Sequence, residues 1–339
     1  MPILSSSRPL TRRRVLGIVA AAAGLPLAGY GVSALGGRRG EFITWSGAAL
    51  GAESSLALWH ADVALSRRMI QASLVEIARL ERVFSLFDPE SELSRLNRDG
   101  ALPNPSAELV ELLDVSRRLG DASGGAFDVT VQPLWTLYER HFAANPASAS
   151  GPSETEIAEA RARVDYRRIE LDRKQVRLAA KGMGVTLNGI AQGYITDRVA
   201  DMLRDAGYEH VVAELGEIRA IGDHPEGRPW RMGIKDPLDP TRVARTVEIA
   251  NQAVAVSGGY GSRFDAEGRN HHIFDPATGR SANRYLDVTV IGPRATAADG
   301  LSTALYVVDE TTGARMLAGH PGTRALITRP DGRLVTLSA

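Results

Sequence analysis

The 339-residue chain contains no cysteine. That absence excludes disulfides, zinc–thiolate and iron–sulfur centres, cysteine nucleophiles and a lipid anchor on an N-terminal cysteine. Aromatic residues are scarce, at 6%. The run from Val15 to Leu27 spans about thirteen residues and is interrupted by glycine, short of the ~20 that cross a bilayer. Residues 1–40 hold Arg8, Arg12, Arg13, Arg14, Arg38 and Arg39 but no acid. Formal net charge over the whole chain is +0, so the remainder is mildly acidic and offers no nucleic-acid surface. Neither a Walker motif nor a GxGxxG fingerprint occurs.

What is present begins with that arginine-rich start. Thr11-Arg12-Arg13-Arg14-Val15-Leu16 forms a twin-arginine pattern, an apolar run follows, and Val32-Ser33-Ala34 offers a small-residue cleavage site. The expectation is a signal segment over residues 1–40, cleaved after Ala34. It implies export by the twin-arginine route to the periplasm, with no stable membrane span in the mature chain.

Beyond it, hydrophobic content of 44% suits a packed enzyme core. Apolar residues at three- and four-residue steps (Ile70, Leu74, Ile77, Phe84) predict a long helix ended by Asp88-Pro89. Ser106 reads as the N-cap of another helix, broken at Ser123-Gly124-Gly125. Residues 143–153 read as a surface loop, and 169–178 as a hairpin. Val185–Leu187 reads as a strand leading through Asn188-Gly189 into a helix over about 191–206, capped by Gly207. Later strands fall near 210–215, 230–235, 245–249, 254–257, 287–291, 325–328 and 334–337, and helices near 297–308 and 312–318. Without strict βαβ alternation, the class is α+β.

Four segments could carry chemistry, and each has a plain structural alternative. Gly124-Gly125-Ala126-Phe127-Asp128 could approach a ligand through bare backbone, or simply end a helix. Asn188-Gly189-Ile190-Ala191-Gln192-Gly193 could meet phosphate at a helix start, or be an ordinary strand–helix turn. In His271-His272-Ile273-Phe274-Asp275-Pro276-Ala277-Thr278-Gly279-Arg280 the last residues are turn-forming, while the histidines could bind metal, contact phosphate or act as a base. Asp299 and Thr303 lie one helical turn apart and are hard oxygen donors suited to magnesium; alternatively Asp299 is an N-cap.

Taken in order, these segments resemble the ApbE family of FAD:protein FMN transferases over nearly all of residues 41–339. The matching stretches are Phe84–Asn97, Gly124–Leu134, Gly189–Asp197, Leu215-Gly216 with Ile218-Arg219, Val256-Ser257-Gly258, His272–Arg280 and Asp299–Thr303. The resemblance implies an ApbE-type (T-fold-like) domain of mixed, largely antiparallel sheets with packed helices. It implies FAD as substrate, bound by Phe87, Ala126, Phe127, Asp128, Thr186, Gln192, Ser257, Gly258 and His272. It also implies Mg²⁺ held by Asp299, Thr303 and the backbone of Gly189, with His272 or His271 as candidate base. The implied reaction moves FMN from FAD to a Ser or Thr hydroxyl of an extracytoplasmic flavoprotein and releases AMP. Alternatives are a FAD pyrophosphatase and a non-catalytic FAD-binding carrier.

The chain departs from the family pattern at Thr186 (usually Asp), Asn188 (usually Gly), Gln192 (usually charged) and Phe87 (usually Tyr), and it shortens the Leu-Gly-Gly-Asp-Ile-Arg stretch to Leu215–Arg219. Together with the twin-arginine start, these departures resemble the NosX subgroup, whose implied target is a membrane flavoprotein of the NosR type.

Overall fold

The computed structural model describes residues 40–339, apart from 50, 147, 149 and 240. The expected signal segment, its cleavage point and the export route therefore lie outside the described residues. Among the described residues no helix is long and apolar enough to cross a membrane.

In chain order the elements are β1 (Glu41–Ala49), β2 (Ala52–His60), α1 (Val63–Phe84), α2 (Glu92–Asp99), β3 (Ala101–Pro103), α3 (Ala107–Ala122), α4 (Gln132–Ala144) and α5 (Glu154–Arg161). Then come β4 (Ile169–Leu171), β5 (Gln175–Leu178), α6 (Ala191–Asp205), β6 (Val211–Glu214), β7 (Ile218–Ile221), β8 (Trp230–Lys235), β9 (Val243–Ile249) and β10 (Ala253–Ser257). The last are β11 (Phe274–Asp275), β12 (Arg280–Ser281), β13 (Asp287–Gly292), α7 (Ala295–Val307), α8 (Glu310–Leu317), β14 (Arg324–Thr328) and β15 (Leu334–Ser338).

Eight strands form one sheet in the order β1-β2-β6-β7-β10-β13-β14-β15. Every neighbouring pair is antiparallel, as the α+β reading requires. Alternation along the strands gives the sheet two apolar faces. One face sends Leu56, Leu58, Ala255, Val288, Val290 and Ile327 into the main core with α1, α3, α6 and α7. The other sends Ile218, Ala220, Val254, Val256 and Ile291 against the β8–β9 hairpin, which contributes Trp230, Met232, Ile234, Val247 and Ile249. A third, smaller cluster joins α4 and α5 to Phe274.

Several expectations need correction. The first helix ends at Phe84, before Asp88-Pro89: Ser85 takes extended backbone, and its hydroxyl accepts from the amides of Phe87 and Asp88. Three helices went unread, α2, α4 and α5. Val185–Leu187 is not a strand. It runs extended with its polar groups satisfied locally: Val185 exchanges two hydrogen bonds with the Asn97 amide, and the Thr186 amide donates to Val129 carbonyl. Side chains substitute there for a sheet ladder, which a pattern of apolar residues does not reveal. Ser106 does cap α3, and Gly124 and Gly125 (φ 64° and 90°) turn the chain after it.

Candidate active site

The chemistry-bearing segments converge at the ends of β7 and β10, where α6 crosses α7. Gly193 makes that crossing close. A β-carbon there would sit 2.4 Å from the Ala295 carbonyl oxygen and 2.8 Å from Asp299 Cβ. The Gly193 amide donates to Asp299 Oδ2 at 2.9 Å. Four residues on, Asp197 caps α7 from outside it, accepting from the Ala295 and Thr296 amides and the Thr296 hydroxyl. So α6 orients the helix that carries Asp299. Asp299 is well inside α7 rather than its N-cap, a position held by Arg294.

On the next turn of α7 the polar groups are hydroxyls. Ser257, the last residue of β10, places its hydroxyl 2.7 Å from that of Ser302 and 3.2 Å from Thr303 Oγ1. Gly189 abuts Thr303: a β-carbon on it would lie 3.0 Å from Thr303 Oγ1. Of the expected set, Gly189 and Thr303 are in contact, and Asp299 stands one helical turn before Thr303 on α7 but lines neither of the cavities described below. Asp299 is 2% exposed, and burial raises its carboxyl to about 7, helped by the charge of Asp197 and opposed by the Gly193 amide. A carboxylate in such a place gains from a cation beside it. Among the described residues no group of three or more His, Asp or Glu side chains surrounds a common point. The donor set is hard and oxygen-based, which fits Mg²⁺ rather than zinc.

Two cavities meet here. A tight one of about 80 Å³ is lined by Ala126, Phe127, Asp128, Thr186, Gly189, Ser257, Gly258 and Thr303, among others. A larger one of about 520 Å³ is lined by Phe87, Gln192, Arg82, Ile195 and Ser262, among others. Trp135, Asn188 and His272 border both, so every residue expected at the FAD site lines one or the other. Trp135 is not among the expected ligand contacts. Trp135 lay in a helix that the sequence did not reveal. An open depression of about 710 Å³ on the far side of Leu86 and Phe87 contains none of the residues grouped around Asp299.

Local geometry refines individual roles. Asp128 lines the tight cavity, but its oxygens already accept from the Thr130 amide and hydroxyl and from the Tyr166 amide. The start of α6 is less open than a phosphate cradle: the Ile190 and Ala191 amides donate to Leu187 carbonyl, and Gly193 to Asp299. His272 Nδ1 lies 3.2 Å from the Ser262 carbonyl. A carbonyl can only accept, so Nδ1 carries the proton and Nε2 keeps a free lone pair. Burial and the adjacent His271 push His272 down to about 4, so it is neutral at pH 7.

Comparison with known proteins settles the family. The ApbE family model matches residues 50–327. The chain belongs to the ApbE family. It is 34% identical to the FAD:protein FMN transferase of Haemophilus influenzae, over 75% of this chain and 77% of that one. The enzyme of the same name from Vibrio cholerae is also 34% identical, over 73% and 75% of the two chains. Among solved structures, the ApbE protein of Thermotoga maritima aligns with a TM-score of 0.75 at 30% identity, covering 88% of this chain and 97% of that one. The flavinyl transferase ApbE of Pseudomonas stutzeri aligns at 0.74 and 27%, covering 88% and 95%. An ApbE-family transferase with the expected antiparallel fold is thereby borne out.

Proposed function

We propose that the chain transfers FMN from FAD to a Ser or Thr hydroxyl of an extracytoplasmic flavoprotein, releasing AMP, with Mg²⁺ at Asp299, Thr303 and the Gly189 carbonyl. The observation that supports the reading is the contact of Gly189 with Thr303, one helical turn from Asp299, at the wall of the tight cavity. Its other support is the shared name of the relatives. The larger cavity is within the range that takes small ligands. Mg²⁺ held by Asp299, Thr303 and the Gly189 carbonyl would supply charge neutralisation at a pyrophosphate.

The chain's own residues supply the rest. The rings of Phe127 and Trp135 and the half-exposed Phe87 offer flat apolar surface to a flavin or adenine. The acceptor hydroxyl oxygen bonds to the FMN-side phosphorus as the bond to the AMP oxygen breaks. The hydroxyl proton goes to His272 Nε2, the unprotonated ring nitrogen. Such a reaction depends mainly on positioning and charge. The extracytoplasmic setting rests on the twin-arginine pattern of residues 1–40, and a membrane target of the NosR type on the subgroup resemblance.

The test combines purified chain, FAD, Mg²⁺ and a candidate acceptor domain. The expected product is a covalently bound flavin, seen as in-gel fluorescence and as the mass of an added FMN phosphoester, and lost with EDTA or Asp299→Ala. Release of FMN and AMP without any acceptor labelling would favour the pyrophosphatase. Tight FAD binding with no turnover would favour the carrier.

A further inference from the structure

Glu217 has no part in the steps above. It stands one residue before β7, whose register sets Ile218 opposite Val254 and Arg219 opposite Ala253. Continued by one pair, that register puts Glu217 opposite Ala255, on the helix-facing side of the sheet. Its carboxyl is 1% exposed, accepts from the Val256 amide, and leaves Oε2 with no hydrogen-bond partner. The residue after Val256, Ser257, bonds to Ser302 and Thr303 of α7, so the Glu217 carboxyl is held within one residue of the strand's contact with the helix that carries Asp299. Arg219, two residues on and on the same face, cannot serve as its counter-ion while it is held by Asn251 carbonyl at 2.9 Å and Asp197 at 3.5 Å.

The preceding residue packs tightly against α6. Gly216 takes a φ of 95°, and a β-carbon there would lie 2.6 Å from Gln192 Cδ. Gln192 Oε1 is likewise buried without a partner. Thus two oxygens of the α6–β7 seam, one of them a carboxylate oxygen, lack any donor. Orphaned buried acceptors are rare in a finished fold unless something else satisfies them. In its ionised form a carboxylate near a second carboxylate gains most from a cation between them.

We infer that Glu217 is a second carboxylate donor of the divalent-cation site, holding the ion from the sheet side while Asp299 and Thr303 hold it from α7. The inference rests on the cation site proposed above. Two carboxylates with a hydroxyl and a carbonyl are within what Mg²⁺ accepts, the remaining positions going to water and phosphate.

The test is Mn²⁺ binding by the full chain, stripped with EDTA and followed through the electron paramagnetic resonance signal of free Mn²⁺, without FAD or acceptor. Parent, Asp299→Ala and Glu217→Gln are compared. The expected result is a Kd raised about 10- to 100-fold in Glu217→Gln, with metal-free melting no lower than the parent's. A Kd within about threefold of the parent's, beside a large loss in Asp299→Ala, overturns the role of Glu217 and leaves the cation site standing. Unchanged binding in both variants overturns the site itself. If Glu217→Gln does not fold, Glu217→Asp takes its place. It keeps the charge but withdraws it by one methylene, and the same threefold threshold decides.

Discussion

At the scale of single residues, Asp299 and His272 shift in opposite directions. Asp299 ionises near 3.8 when unfolded and near 7 when folded and metal-free. The unfolded chain therefore sheds its proton first, and native stability falls as pH rises from about 4 to 7. Asp299→Asn escapes that loss. In EDTA its melting temperature should climb relative to the parent's between pH 5 and pH 8, and a constant offset would contradict the buried, unpaired carboxyl. His272, pushed down to about 4, stays neutral throughout that range. The acid limb of activity should therefore follow Asp299 and move to lower pH as Mg²⁺ is raised. His272→Gln should lower kcat about 10²- to 10⁴-fold with little change in the KM for FAD, measured by acceptor labelling.

At the scale of elements, the site depends on how closely α6 and α7 cross. Gly193 permits the approach, and its amide and the Asp197 carboxylate hold α7 in place. Gly193→Ala pushes a methyl group against backbone at Ala295, which cannot swing aside as a side chain would. It should cost about 1–3 kcal/mol in urea unfolding and weaken Mn²⁺ binding as well, because Asp299 moves with its helix. A variant of parental stability and affinity would show that α7 is not positioned by this contact. The helices themselves were unequally legible. α1 and α3 announced themselves through apolar spacing and, for α3, the Ser106 cap, and α6 through the turn at Asn188-Gly189 and the stop at Gly207. α4 opens without a side-chain cap and carries Pro133 near its start. α2 is only eight residues long. Periodicity over so short a window is weak.

At the scale of the whole molecule, the sheet separates two jobs. Its helix-facing side supports the site, and its other side packs on the β8–β9 hairpin. Ile234→Ala, on that hairpin, should destabilise the chain by about 2–5 kcal/mol in urea unfolding while leaving Mn²⁺ affinity within error of the parent's. A loss of cation binding in step with stability would mean that the two faces are coupled through the sheet.

The mixed run of strand and helix signals was enough to indicate the α+β class, and the order of motifs from Phe84 to Thr303 the family; Asp299 and Thr303 could be set on one helical face because helical geometry is local and needs no partner. What the chain alone left undecided was whether Asp299 was a cap or an interior carboxylate, that Gly193 and Asp197 serve α7, and that Trp135 and His272 border the same space. Those relations join residues far apart in the chain. They arise only when a sheet of non-sequential strands and two crossing helices bring them together, and burial then alters the charge of what they enclose.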